Sequence, residues 1–309
     1  MSIKRFQNKI AESRMALPFT AVYALLVCFA CGFVEHGMWL QLALLAVSSF
    51  MMLELNNANA LIRIYSRMVS CSFLVFAVMA VFILVSVPHA VVQLCFIAFL
   101  LLLFSAYQDK GAMGRVFYAF VMLGAASLMF VQIAYFLPVA WVLLFANIMA
   151  GGGRTYFASV LGFITPYWIA GGYSLYTGQT DEFVGHLSGL WTFGPLLDVA
   201  AVDMHRMVTF GFIVLASLTG IIHFHRNSYK DKIRTRMLFE VFTTLFLCAM
   251  VFAVLQPQHA DCLMAMMTVC GSPLVGHFIS LTNTRLTNAW FVCLLIGALC
   301  ITVYNVWMQ

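Results

Sequence analysis

VFYAFVMLGAASLMFVQIAYFLPVAWVLLFANIM, residues 116–149, is the run that sets the architecture of this chain. As a single helix rising 1.5 Å per residue it would extend about 51 Å, against a hydrocarbon core of about 30 Å. Tilting does not absorb an excess of that size. Read as two arms turning near Phe130 and Val131, each arm is close to membrane thickness, and Pro138 is tolerated in the second. The choice fixes the parity of every later segment. A single crossing would put Arg154 and the basic cluster at 226–236 opposite the other basic residues, whereas a hairpin keeps them together.

Outward from this hairpin, apolar windows of about 19 residues place helices near 15–34, 38–54, 68–87, 90–106, 116–130, 132–149, 155–177, 205–223, 237–255, 263–281 and 289–306. The expected fold is an all-α polytopic transmembrane bundle of about 11 helices, with the N-terminus inside and the C-terminus outside. In this arrangement only Arg206 of the 16 Lys and Arg residues leaves the cytoplasmic side, as the positive-inside rule requires. Glu35, Asp181, Glu182, Asp198, Asp203 and Asp261 fall outside. Trp39, Tyr176, Trp191 and Trp307 mark the outer interface, and Tyr65, Tyr107, Tyr156 and Trp290 the inner one.

Composition agrees. With 63% apolar and 9% charged residues and a mean hydropathy of +0.98, the chain cannot form a water-soluble globule, since soluble domains carry about 25% charged residues. In lipid the backbone must satisfy its own hydrogen bonds, and continuous rather than alternating apolar runs select helices over a barrel. The first apolar segment reads as a retained anchor, and the cell membrane is the expected location. Residues 1–309 read as one integral domain, with an outer interfacial segment at 178–204 and a basic inner loop at 224–236. The nine cysteines lie mostly within spans, and Cys28 and Cys31 lack the second pair that a zinc site needs. No metal and no cofactor is expected.

Several polar groups are candidate site residues. Glu35, in a three-residue outer turn with His36, is a candidate general base beside the outer leaflet. Asp203, His205 and Arg206 are candidates for phosphate binding, because a guanidinium clamps phosphate bidentately; equally, Asp203 and Arg206 have the spacing of a local ion pair. Gly271, Ser272 and Pro273 are able to break the 263–281 span, and Ser272, Pro273 and His277 would then line a transport path; a proline kink with a histidine hydrogen-bonded to a neighbouring helix is the alternative. In the outer segment Phe183, Leu187, Leu190 and Trp191 share one helical face, as an interfacial lid would. The bilayer is the expected partner. Arg226, Lys230, Lys232, Arg234 and Arg236 suit anionic headgroups, and the cluster is too short to suggest nucleic acid. Protein partners are not legible.

The stretch Asn56 to Gly178 resembles an uncharacterised polytopic inner-membrane family of Bacteroidota. The resemblance lies in NALIRIYSR at Asn59–Arg67, LGAASL at Leu123–Leu128, FLP at Phe136–Pro138 and LGFITPYW at Leu161–Trp168. The resemblance implies a bacterial inner-membrane location and no particular activity. The layout is also similar to integral-membrane glycosyltransferases that use polyprenyl-phosphate sugars, which implies an acidic base in the first outer loop, here Glu35, and a partly helical outer segment, here 178–204. The expected function is therefore handling of a lipid-linked glycan or lipid at the outer leaflet. The alternatives are a secondary transporter or flippase, and a non-catalytic subunit of a membrane complex.

Overall fold

The computed structural model describes residues 5–198 and 202–308, and every regular element among them is helical. In chain order these are α1 (Phe6–Ala11), α2 (Ala16–Ala30), α3 (Trp39–Asn59), α4 (Met68–Met79), α5 (Val81–Val85), α6 (Val87–Ser105), α7 (Met113–Met129), α8 (Leu137–Ala146), α9 (Gly153–Thr177), α10 (Thr180–Ser188), α11 (Met204–Asn227), α12 (Ile233–Leu255), α13 (Ala260–Leu281) and α14 (Arg285–Trp307). Six of them, α3, α6, α11, α12, α13 and α14, are long and apolar enough to cross a membrane. Shorter apolar helical segments occupy Ala16–Ala30, Met68–Met79, Met113–Met129 and Val131–Ala146.

The chain reverses at Phe130, which adopts an extended conformation (φ −144°, ψ 96°) between α7 and a 3-10 turn at Val131–Phe136. The consequence is visible in α7 and α9. A Cβ on Gly162 would collide with the Phe117 carbonyl, a Cβ on Gly124 would collide with that of Phe163, and the Ser127 and Tyr167 hydroxyls hydrogen-bond at 2.5 Å. Positions rise together along the two helices, so α7 and α9 run parallel. The intervening α8 runs back beside this pair and is joined to α9 by Trp141 Nε1 donating to Ser159 Oγ at 3.0 Å. Small residues permit this close backbone approach, a common device of helix packing in lipid.

α13 is the central element, with every residue from Cys262 to Ser280 buried. It accepts neighbours closely: Gly220 of α11 packs on the Leu274 backbone, and Gly276 on that of Met68 and Val69. The expected break at Gly271–Pro273 does not occur, and α13 is continuous. Proline removes one backbone donor, but packing on all sides holds the helix. Hydroxyls also bond back to its carbonyls, Ser272 Oγ to Thr268 and Thr268 Oγ1 to Ala265.

The expected 68–87 segment is interrupted instead. At Ala80 (φ −97°, ψ 52°) α4 gives way to α5, and the freed Met79 carbonyl accepts from Asn305 Nδ2 at 2.7 Å. An orphan carbonyl in an apolar interior needs such a partner.

Polar contacts sort the bundle into two ends. Arg234 donates to Asn59, Ser66 pairs with Ser280, Gln7 with Thr282, and Asn147 donates to Glu240; this basic end also carries Lys9, Arg63, Arg67, Arg115 and Arg285. Arg206, with Asp203 and Asp261, lies at the distal end, where Asn305 also bonds Thr209.

Candidate functional site

A partly open cleft of about 470 Å³ is lined by residues of α1, α2, α4, α11, α13 and α14. Its volume comes from small side chains, Ala16, Thr20, Ser72, Ala216 and Ala298, set among larger apolar ones. Thr20 Oγ1 is turned back to the Ala16 and Leu17 carbonyls, at 2.9 and 3.0 Å, so it adds little polarity. From Met68 to Phe76 the α4 wall runs about 12 Å at 1.5 Å per residue, under half the hydrocarbon thickness. Among the described residues Lys9, on α1, is the one charged residue lining the cleft, with Ser13 also in the lining. The volume lies in the range of ligand sites, about 300–1,000 Å³.

Helix α1 is too short to stand alone and is fixed by tertiary hydrogen bonds. Gln7, 1% exposed, donates from Nε2 to the Ile279 carbonyl at 2.8 Å and to Thr282 Oγ1 at 2.6 Å. Its backbone N–H reaches Asn288 Oδ1 at 3.0 Å, and Asn8 Nδ2 reaches the Thr282 carbonyl at 2.9 Å. α1 thus bridges α13 and α14 where it lines the cleft. Sequence reasoning missed this site, because the lining residues come from six helices and no local pattern connects them. The polar Gln7–Asn8 pair in the N-terminal segment was the available signal.

No protein-family model, curated protein or solved structure matches this chain. The residues themselves therefore carry the argument. Glu35 is exposed in the turn between α2 and α3, and among the described residues it makes no hydrogen bond or ion pair with His205 or Arg206. Asp203, His205 and Arg206 do come together, with the guanidinium paired to carboxylates while the buried Nδ1 of His205 has no hydrogen-bond partner. The Arg206 guanidinium lies 3.3 Å from Asp203 and bonds Asp261, with its charge 5.5 Å from the centre of the Phe82 ring; His205 packs edgewise on the same ring. Asp261 completes the cluster from the first turn of α13, a partner that sequence spacing cannot reveal.

Ser272 and Pro273 are sealed inside α13, and His277 is 1% exposed, bonded through Nε2 to Asp231 at 3.0 Å. The bond runs to the loop between α11 and α12 and not to a neighbouring helix. Of the basic loop, Arg234 donates to Asn59 at 2.9 Å over the Tyr107 ring, and Lys230 to Asn227 at 3.0 Å, while Arg226 and Lys232 are exposed.

The outer segment is docked on the bundle. Phe183 packs at Gly171, His186 Nε2 meets the Ser127 carbonyl at 3.1 Å, and Gln132 donates to that of Gly189 at 3.3 Å. Trp191 departs from the expected shared face: α10 ends at Ser188, a 3-10 turn follows, and the indole is 83% exposed. Residues 199–201 of this segment lie outside the described residues.

Proposed function

We propose that this multi-pass membrane protein handles a lipid whose apolar chain enters the lateral cleft from the leaflet at the basic end. The supporting observation is the cleft itself: a partly open apolar volume lined by α1, α2, α4, α11, α13 and α14, with Lys9 among its lining residues. A chain inside would replace lipid contacts with protein contacts, and an anionic headgroup would meet Lys9 and the neighbouring basic residues, each worth about 1 kcal/mol near a membrane surface. The finer topology belongs to the same reading: about 11 crossings, N-terminus and basic end in the cytosol, C-terminus outside, in a bacterial inner membrane. The positive-inside rule supports it.

On this reading the lipid is met at the cytoplasmic leaflet. The outer-leaflet transferase expectation has less support, because Arg206 is already engaged by two carboxylates and Glu35 stands apart from it. A transport path along α13 has little, because that helix is continuous and buried. The cleft's apolar lining favours binding and carrying over catalysis.

Photo-crosslinking tests the reading, using a diazirine-tailed phosphatidylglycerol and a diazirine-tailed polyprenyl phosphate in nanodiscs. Labelling of Phe212 and Leu294, and its loss in Ala298→Trp, is expected with at least one of them. Labelling confined to exposed positions such as Trp168 and Val303, unchanged in Ala298→Trp, would refute it.

A further inference from the structure

Away from the cleft, the basic end encloses a carboxylate and an imidazole. Asp231 is the sole acid of the 224–236 loop, with a side chain 4% exposed, and His277 lies on α13. Asp231 Oδ2 is 3.0 Å from His277 Nε2, and its Oδ1 is 3.8 Å from Arg63 Nη1, which also donates to the Lys230 carbonyl at 3.4 Å. The His223 ring lies 5.4 Å from that of His277, with Phe239 at 4.9 Å and Phe224 at 5.6 Å. Nδ1 of His277 and Nδ1 of His223 are both buried without a hydrogen-bond partner.

Buried polar atoms are rarely left unpaired, and those that are call for a cause. With Nε2–H donated to the carboxylate, neutral His277 keeps a lone pair on Nδ1, ready to accept a proton. The carboxylate is out of water, and among the described residues the one Lys or Arg within ion-pair range, Arg63, sits at its long end with a half-exposed side chain. An imidazolium next to Asp231 would offset that buried negative charge, with aromatic rings within cation–π range. The charged and titratable groups facing the pair are Arg63 from the α3–α4 loop, Lys230 from the α11–α12 loop and His223 from α11; α12 presents Phe239.

We propose that Asp231, His277 and His223 form a proton-binding site served from the basic end. One proton from water adds to His277 Nδ1, no covalent bond between heavy atoms changes, and the cluster with Arg63 goes from neutral to one positive charge. Arg63, the longer and more exposed contact, is the cation that yields, which loosens the α3–α4 loop from the α11–α12 loop. The site is independent of the lipid cleft.

The test is 15N-histidine NMR of the full chain in nanodiscs, with 13C-labelled aspartate, between about pH 8 and pH 5. The expected result is a buried histidine that converts from neutral ring to imidazolium, with a simultaneous shift of the Asp231 carboxylate signal. Asp231→Asn and His223→Gln should move its midpoint by about one pH unit or more, while exposed His36 and His225 titrate unchanged. His277→Gln should remove the signal. A His277 that stays neutral while His36 and His225 titrate would overturn the proposal, as would titration unaltered in both variants. If Asp231→Asn does not fold, the wild-type carboxylate signal and His223→Gln decide between the same two outcomes.

Discussion

Gly162 of α9 lies directly against the backbone carbonyl of Phe117 on α7, with no room for a β-carbon between them. Gly124 makes the reciprocal approach to Phe163, so two glycines define the contact between these parallel helices.

Gly162→Val and Gly124→Val should each destabilise the bundle by about 1–3 kcal/mol, the usual effect of overpacking, because backbone cannot move aside as a side chain does. Gly172→Ala, which meets nothing within 4 Å, should be neutral or stabilise by up to about 1 kcal/mol through helix propensity. Unfolding in detergent compares the three; equal behaviour would contradict the close approach.

Gln7→Leu should free α1 without unfolding the bundle. It leaves the Ile279 carbonyl and Thr282 Oγ1 without their donor, a local penalty of about 1–3 kcal/mol. Hydrogen exchange should rise across residues 6–11 and stay unchanged in α12. Global destabilisation instead would show that α1 is integral to the core.

For the distal cluster, a double-mutant cycle between Arg206→Ala and Asp261→Asn should give a coupling of about 1 kcal/mol, modest because the guanidinium is 36% exposed and screened. The cycle with Asp203→Asn should give less, since that carboxylate is 66% exposed. Equal couplings would mean that Asp261 is not the principal partner.

The orientation can be checked at two loops. Lys110→Cys, on the basic end, should resist a membrane-impermeant thiol reagent applied to intact cells, whereas Gln179→Cys, at the distal end, should react. The opposite pattern would invert the topology and move the cleft to the outer leaflet.

Much of this was legible along the chain. Long apolar runs announce helices, because lipid forces the backbone to bond within each segment, and the doubled length of 116–149 requires a turn that Phe130 supplies. The i,i+3 pairing of Asp203 and Arg206 was also readable, since both lie within one turn. Asp261, Asp231 and Gln7 were visible only as single polar residues, and their partners lie 55, 46 and 275 positions away. Local patterns carry no information on such pairs. The supposed break at Pro273 failed for a related reason: the rule describes a helix by itself, while α13 is held by its neighbours on every side.

Sequence alone determined that this protein is a helical membrane bundle and that its basic residues, Arg206 apart, fall on one side of its apolar segments, because hydropathy and charge are properties of each segment in its solvent. Which helix stands at the centre, that six of them leave an apolar cleft, and that His277 meets Asp231 were decided only in three dimensions. Those outcomes depend on which faces meet, and side-chain volume at the contact, such as the missing β-carbons of Gly124 and Gly162, selects among them.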